Sequence, residues 1–232
     1  PLGNRISGGH GGQVYDAANR LVSDDRFLYA YDGEGNLTAK TDKVQMLATV
    51  YTYDAEHRLR SISKPGGRTT TYKYDPLGRR IEIAGPDETK RYVYGLDQNA
   101  AAEFDGGNDR RATFTFGLGM DTPLAMRRDG TTSFYLQDAL GSVTALTNQS
   151  GGVTQRYEYS AFGEPLSSND ATGNPFTYTG RERDAEQGAF HYRTRSYDAS
   201  AGVFTSEDPI AALNSTGYAE NNPTSFTDPS GM

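Results

Sequence analysis

The pattern Tyr-x-Tyr recurs in the first half of this 232-residue chain at intervals close to 20 residues. The second tyrosine of the pair falls at Tyr31, Tyr53, Tyr74 and Tyr94, which gives spacings of 22, 21 and 20 residues. The first three pairs are followed by Asp, and then by a short stretch that ends in Asn-Leu, Arg-Leu or Arg-Arg-Ile. A period of this length indicates a repeat architecture in which neighbouring units share one core.

Each repeat has the sequence of a β-hairpin. Both rings of a Tyr-x-Tyr strand point to the same face, because strand side chains alternate. The following Asp-x-x-Gly-Asn/Arg has the residues of a tight turn, and a strand resumes in words such as LRSISK (59–64). One hairpin cannot bury its aromatic face alone. The sequence therefore predicts an all-β fold in which the hairpins form a curved, continuous antiparallel sheet, a fragment of a shell or solenoid. Weaker copies lie at 15–21, 114–116, 157–159 and 197–198.

An ordinary antiparallel domain with chance Tyr-x-Tyr pairs is the alternative, and four near-regular copies with the same turn argue against it. Composition favours strands and tight turns, with 27 Gly, 16 Tyr and 10 Phe. Helix signal is weak. One helical turn could lie within 135–146 and end at Gly141, and another could lie within 181–188 and end at Gly188. We therefore expect little helix.

Charge and cysteine content restrict the chemistry. Thirty acidic residues against 23 basic ones give a formal net charge of −7, which argues against a nucleic-acid or anionic-membrane partner. Without Cys the chain cannot form a disulfide, a thiolate zinc site or a cysteine nucleophile. His10, His57 and His191 lack the spacing of metal ligands, so no metal and no cofactor is expected. No apolar run approaches the roughly 18 residues of a membrane-spanning helix.

Three long words in the second half resemble a known family. The stretch YLQDALGSVTALTNQSGGVTQRYEYSAFGEP (135–165) resembles the opening of the Rhs-repeat-associated core. NPFTYTGRERDAEQGAFHYRTRSYDASAGVFTSEDP (174–209) is similar to its middle, and NNPTSFTDPSGM (221–232) to its end. The Tyr-x-Tyr-Asp units resemble YD, or Rhs, repeats. The resemblance divides the chain into YD repeats at 1–130 and a C-terminal core, or plug, region at 131–232.

The resemblance implies a function. In that family YD repeats wind into a large β-shell, the core closes one end, and the shell holds a variable C-terminal polypeptide, often a toxin. The core acts as an aspartyl autoprotease that cuts after an Asp-Pro-x-Gly-hydrophobic motif, which residues 228–232 match. The resemblance therefore implies Asp208 and Asp228 as the catalytic pair. It also implies a cleavage site formed by Pro229, Gly231 and Met232, with Met232 the last residue before the cut.

Both catalytic candidates stand in Asp-Pro pairs. Peptide hydrolysis without a metal, a cysteine or a Ser-His pair needs carboxylates to activate water, and two close Asp side chains can share one proton. Each proline would hold its Asp at a rigid bend. Asp-Pro is also a common turn former, so a purely structural role of Asp208 and Asp228 is the alternative. Glu207 and Asp198 are the other acidic residues that could act at the site.

Three functions compete. The first is a self-processing shell-and-plug module of a bacterial, secreted or cell-surface toxin, which encapsulates a C-terminal effector and releases it after Met232 in a single intramolecular turnover. The second is a non-enzymatic scaffold whose Tyr-rich faces bind carbohydrate or protein at a cell surface. The third is a structural spacer.

Encapsulation needs more repeats than this sequence contains. The chain has the length of roughly ten hairpins, too few to close a large shell. Its opening PLGNRI matches PLGRRI (76–81), which predicts that the chain begins inside a repeat. Upstream repeats of a parent protein, or further copies of the chain, and export signals outside this sequence are therefore expected.

Overall fold

The computed structural model describes residues 11–95, 98–167, 170–210 and 214–232. Within these residues, fifteen strands form one antiparallel sheet in which each strand pairs with its neighbours in the chain. The strands are β1 (Val14–Tyr15), β2 (Leu21–Ser23), β3 (Phe27–Tyr31), β4 (Leu37–Asp42), β5 (Leu47–Tyr53), β6 (Leu59–Lys64), β7 (Arg68–Tyr74), β8 (Arg80–Ala84), β9 (Thr89–Tyr94), β10 (Ala100–Asp105), β11 (Arg110–Phe116), β12 (Pro123–Arg128), β13 (Thr131–Gln137), β14 (Val143–Thr147) and β15 (Val153–Arg156). The opening PLGNRI, predicted to be part of a repeat, lies outside the described residues.

A second, four-stranded antiparallel sheet follows, with strands β16 (Glu182–Asp184), β17 (Ala189–Tyr192), β18 (Arg195–Asp198) and β19 (Val203–Phe204). Short 3₁₀ turns occur at Tyr178–Gly180 and Ala219–Asn221. The predicted all-β class with little helix is confirmed. The predicted helical turns are wrong: β13 and β14 occupy most of 135–146, and β16 opens the 181–188 segment.

The Asp of each repeat organises the turn that follows it. One carboxylate oxygen of Asp75 accepts hydrogen bonds from the backbone N–H groups of Leu77 at 2.9 Å and Arg79 at 3.0 Å, and the other accepts from Nε of Arg79 at 2.7 Å. Gly78 has a φ of +78°, the left-handed conformation that this turn requires. The turns that begin at Asp16 and Asp54 have the same bonds.

The second tyrosine of a pair connects its hairpin to the preceding one. The guanidinium of Arg58 lies over the ring of Tyr74, 5.0 Å from its centre, and the Tyr74 hydroxyl donates a 2.9 Å hydrogen bond to the carbonyl of Leu59. Such a stacked cation stabilises by about 0.5–1 kcal/mol at an exposed site. The same pair of contacts joins Tyr31 to Arg20 and Leu21, and Tyr94 to Arg79 and Arg80. The repeat signature is thus a set of contacts between hairpins.

The first aromatic residue of each pair lies in the core. These side chains are buried at Tyr29, Tyr51, Tyr72, Tyr92 and Phe114, while Tyr157 is partly buried against the same core. The second rings are half-buried and pack against the same core. The pairs therefore face the covered side of the sheet. They do not form the exposed aromatic surface on which the carbohydrate-binding hypothesis depends.

The C-terminal region covers this inner face and shows that the sheet is curved. Lys40 in β4 pairs with Asp198 at 2.5 Å, and the Tyr135 hydroxyl in β13 donates to Asn174 at 2.7 Å. In a flat sheet, β4 and β13 would lie about 40 Å apart at the usual strand spacing. Because the sheet is curved, both strands contact the same short segment, residues 174–198.

A buried ion cluster fixes this packing near the middle of the sheet. Arg80 in β8 is 1% exposed and lies 2.9 Å from Asp184 and 3.0 Å from Glu182, both in β16. In the neighbouring repeat an apolar residue, Leu59, takes the corresponding position. The cluster therefore gives one repeat a specific partner in the C-terminal region.

The large sheet continues across residue 130, since β13 to β15 are its last strands. The first part of the second half, up to Arg156, therefore belongs to the same sheet as the repeats. The four-stranded sheet begins only at Glu182. The division into 1–130 and 131–232 rests on sequence resemblance and stays a prediction.

Candidate functional site

The two predicted catalytic residues meet at one arginine. A single guanidinium nitrogen of Arg195, Nη2, lies 2.9 Å from Oδ2 of Asp208 and 3.4 Å from Oδ2 of Asp228. The two carboxylates are only 11% and 14% exposed. Because both bonds end on the same nitrogen, the two Asp side chains belong to one site, and they are linked through a cation.

Further contacts hold the Arg195 side chain in this position. Its Nε donates to the carbonyl of Gly231 at 2.5 Å and its Nη1 to the carbonyl of Ser215 at 2.8 Å. Its Cζ lies 3.7 Å from the centre of the Phe204 ring. Burial lowers the pKa of the Arg195 guanidinium, and the nearby Asp208 and Asp228 oppose that effect. The guanidinium neutralises one of the two negative charges that the carboxylates carry when ionised.

Asp228 folds the chain terminus back on itself. Its Oδ1 accepts hydrogen bonds from the backbone N–H groups of Gly231 at 2.9 Å and Met232 at 3.2 Å, and from the Ser230 hydroxyl at 3.2 Å. Asp208 organises its own turn in the same way, accepting from the N–H of Ile210 at 2.8 Å. Both Asp side chains therefore accept hydrogen bonds from the turns in which they lie. The turn at Asp228 places its carboxylate within four residues of the expected cleavage point.

Three consecutive residues hold the carbonyl groups of this terminal segment. Arg193 donates to the carbonyl of Pro229, and the Thr194 hydroxyl donates to that of Gly231 at 2.6 Å. Arg195 bonds the Gly231 carbonyl as well. Residues 229–231 therefore lie along the turn that joins β17 to β18, while the Met232 side chain stays half exposed.

Gly231 fits this arrangement only because it lacks a side chain. Its φ is +73°, and a Cβ added there would overlap the carbonyl oxygen of Tyr192. Gly231→Ala is therefore expected to displace the terminal segment and to block cleavage of a protein extended beyond Met232. Gly130→Ala is the matched control, since Gly130 has a φ of +84° but open space around it.

Both alanine variants carry the strain of a left-handed conformation, about 1–2 kcal/mol. Only the one at Gly231 adds the steric conflict. Intact-mass spectrometry and thermal melts of the two proteins separate these effects. Equal cleavage of both variants would contradict the docking geometry described above.

The site opens into a cavity of about 770 Å³ on the inner side of the large sheet. Its lining includes Met232, Asp208 and Arg195 from the C-terminal region, and turn residues of the repeats such as Asn36 and Leu77. The chain terminus therefore faces the space between the repeats and the C-terminal region.

The other acidic candidates bind elsewhere. Asp198 pairs with Lys40; burial acts to raise the pKa of its carboxyl, but the Lys40 cation and hydrogen bonds together lower it. Glu207 lies beside Gly35 and 3.9 Å from Arg20. Neither makes a described hydrogen bond to the terminal segment. Asp208 and Asp228 are the pair that the structure brings together.

Sequence reasoning missed Arg193 and Arg195, which hold the terminal segment. Their only signal is the word HYRTRSYD (191–198), in which two arginines follow a buried strand. Arginine at that spacing is ordinary in a strand pair. Its role became visible only through partners more than thirty residues away, such as Pro229 and Gly231.

The curved meander, its aromatic inner face and the C-terminal region packed on it define a β-shell built of YD repeats. The chain belongs to the Teneurin YD-shell family, whose family profile matches residues 3–227. It is thereby a protein of the Rhs, or YD-repeat, class that the sequence resembled.

Curated relatives have the names of nucleases and toxins. The chain is 32% identical over 228 residues to the tRNA3(Ser)-specific nuclease WapA of Bacillus spizizenii, covering 94% of this chain and 9% of that protein. It is 28% identical over 231 residues to the probable deoxyribonuclease RhsA of Dickeya dadantii, covering 93% and 16%. It is 28% identical over 257 residues to the double-stranded DNA deaminase toxin A of Burkholderia cenocepacia, covering 94% and 18%. The chain thus spans less than a fifth of each relative.

Solved structures agree on the fold. The crystal structure of TcdB2-TccC3-TEV superposes with a TM-score of 0.65 at 18% identity, covering 89% of this chain and 13% of that one. The Photorhabdus luminescens Tc holotoxin pore gives 0.61 at 15% identity, covering 95% and 15%. Over the described residues, no helix has the length and apolar character needed to cross a membrane.

Proposed function

We propose that this chain is the closing segment of a toxin shell, and that it releases a C-terminal effector by cutting its own backbone after Met232. The observation that carries the proposal is the position of Asp208 and Asp228 on Arg195, with the terminal segment bound beside them. If Asp208 and Asp228 served only to form their own turns, their carboxylates would not need to share one guanidinium.

The relatives support the effector half of the proposal. The matched part is a small share of proteins whose names describe a tRNA nuclease, a probable deoxyribonuclease and a DNA deaminase toxin. Such different activities cannot reside in the segment that they share with this chain. We assign them to another part of each relative, and by analogy an effector to the parent of this chain. The proposed location is outside the producing cell or on its surface.

The residues present suit hydrolysis by carboxylates. Water adds to the carbonyl carbon of Met232 while a carboxylate takes one of its protons. The C–N bond then breaks, a proton passes to the leaving nitrogen, and the products are a Met232 carboxylate and a free amine. The Arg195 guanidinium holds Asp208 and Asp228 in place and binds the Gly231 carbonyl one residue before the reacting group. Since the substrate is part of the chain, high effective molarity compensates for slow chemistry.

Two Asn variants test this assignment. A protein extended past Met232 by its native downstream residues is expected to be cut after Met232. Asp208→Asn and Asp228→Asn keep the side-chain size and an oxygen acceptor but remove the carboxylate, so both are expected to stay folded and uncut. Asp129→Asn, at an exposed turn between β12 and β13, is the matched control and is expected to cleave like the wild type.

Intact-mass spectrometry identifies the products, and circular dichroism checks the fold. An uncut wild type would overturn the proposal. Cleavage that persists in both Asn variants would show that other residues, or a contaminating protease, make the cut.

A further inference from the structure

One buried carboxylate between two strands of the repeat sheet forms ion pairs with arginines of the C-terminal region. Asp121 lies in the connection between β11 and β12, is 8% exposed and has a φ of +58°. The Asp residues that open other turns, such as Asp54 and Asp75, accept hydrogen bonds from their own turns. Asp121 instead pairs with two arginines from the core region, so its carboxylate serves a contact between the two parts of the chain.

The first of these contacts is a fork. Arg193 donates from Nη2 to Oδ1 of Asp121 at 2.8 Å and from Nη1 to Oδ2 at 3.0 Å. Two parallel bonds fix the orientation of a guanidinium as well as its position. The same Nη1 donates to the carbonyl of Pro229. A single side chain, that of Arg193, therefore connects Asp121 to the segment that is proposed to be cut.

The second contact fixes β17, the strand that leads into the turn of Arg193. Arg181 donates from Nη1 to Oδ1 of Asp121 at 2.6 Å and from Nε to the carbonyl of His191 at 3.0 Å. Backbone packing adds to this: Gly180 has a φ of +68°, and a Cβ there would overlap the Asp121 carbonyl oxygen. The loop of Asp121 and the turn that holds the terminal segment are thus rigidly joined.

We propose that Asp121 is a positioning residue for cleavage: through Arg193 it holds the Pro229–Met232 segment, so the core cuts only when it is docked on the repeat sheet. The inference rests on the proposed function and adds its regulation. Without the Asp121 charge, the neighbouring guanidinium groups of Arg181 and Arg193 repel each other, and the one that bonds Pro229 loses its orientation. A shell that lacked a properly folded repeat sheet would then keep its effector attached.

A double-mutant cycle in the extended protein tests the proposal. Asp121→Asn is expected to slow cleavage by about tenfold or more, as small misplacements at reacting groups do. In an Arg193→Ala background the same substitution is expected to change the rate by less than about twofold, because the Asp121 partner that bonds Pro229 is already gone and the contact to Arg181 does not reach that segment. Asp105→Asn, which removes a turn-forming carboxylate at the end of β10, is the control and is expected to leave the rate unchanged.

Cleavage rates come from intact masses over time, and the folded fraction of each variant from circular dichroism at the assay temperature. Three results would overturn the inference alone: a folded Asp121→Asn protein that cleaves at the wild-type rate, a loss of rate that matches the loss of folded protein, or additive effects of the two substitutions. An uncut wild type would overturn the proposed function and this inference together.

Discussion

Arg195→Ala in the extended protein is expected to abolish cleavage and to lower the free energy of unfolding by about 3–5 kcal/mol, as loss of one partner of a buried ion pair does. The substitution leaves Asp208 and Asp228, both largely buried, without their shared cation. It also removes the hydrogen bonds to the carbonyls of Ser215 and Gly231. The link between Asp208 and Asp228 is then lost, and the terminal segment keeps one contact fewer to the turn between β17 and β18.

Two further variants make this result specific. Arg195→Lys keeps the charge, but one ammonium group cannot reproduce a planar fork with four acceptors, so cleavage is expected to stay strongly reduced. Arg110→Ala, at an exposed position of β11, is the matched control and is expected to change stability by less than about 0.5 kcal/mol. Urea denaturation and intact masses of the three variants measure both effects. Wild-type cleavage by Arg195→Ala would show that the arginine is not part of the site.

Tyr72→Ala is expected to lower the free energy of unfolding by about 3–5 kcal/mol, the usual effect of deleting a buried aromatic side chain. Tyr72 is 4% exposed and lies opposite Ile83 of the next strand, in the core that the repeats share. Thr71→Ala is the matched control. Thr71 precedes Tyr72 in the same strand, but its side chain points to the exposed face, so the substitution is expected to cost less than about 0.5 kcal/mol.

Tyr74→Phe separates the two tyrosines of the pair. It keeps the ring under Arg58 and removes only the hydrogen bond to the Leu59 carbonyl, so a loss of about 1 kcal/mol is expected. Thermal and urea unfolding of the three variants give the comparison. A loss below about 1 kcal/mol for Tyr72→Ala would contradict the assignment of the first rings to the core.

The repeat sheet could be predicted because its signals are local. A strand with two aromatic rings on one face, an Asp that closes its own turn and a residue with positive φ all lie within one stretch such as 72–79. The prediction that both rings of a pair face the interior holds, with the second ring half-buried; the Tyr74 hydroxyl, for example, bonds a carbonyl of the preceding hairpin. The predicted helical turns failed where Gly141 and Gly188 end tight turns between strands instead.

The arrangement of the site could not be predicted from such patterns. Asp208 and Asp228 were named through family resemblance, but the side chain that joins them, Arg195, is 13 and 33 residues away. Asp121 and its partner Arg193 are 72 residues apart. These pairs form only when the C-terminal region folds back on the inner face of the large sheet. The repeat period of the sequence does not predict that contact.

The most direct test of the central claim is whether the cut is intramolecular and falls after Met232. The extended protein is produced by cell-free translation at concentrations that differ about a hundredfold, and cleavage is followed by intact mass and by the new amino-terminus of the released part. The account predicts one half-time at all concentrations and a new terminus at the residue after Met232. A half-time that shortens as concentration rises, or a terminus elsewhere, would contradict it.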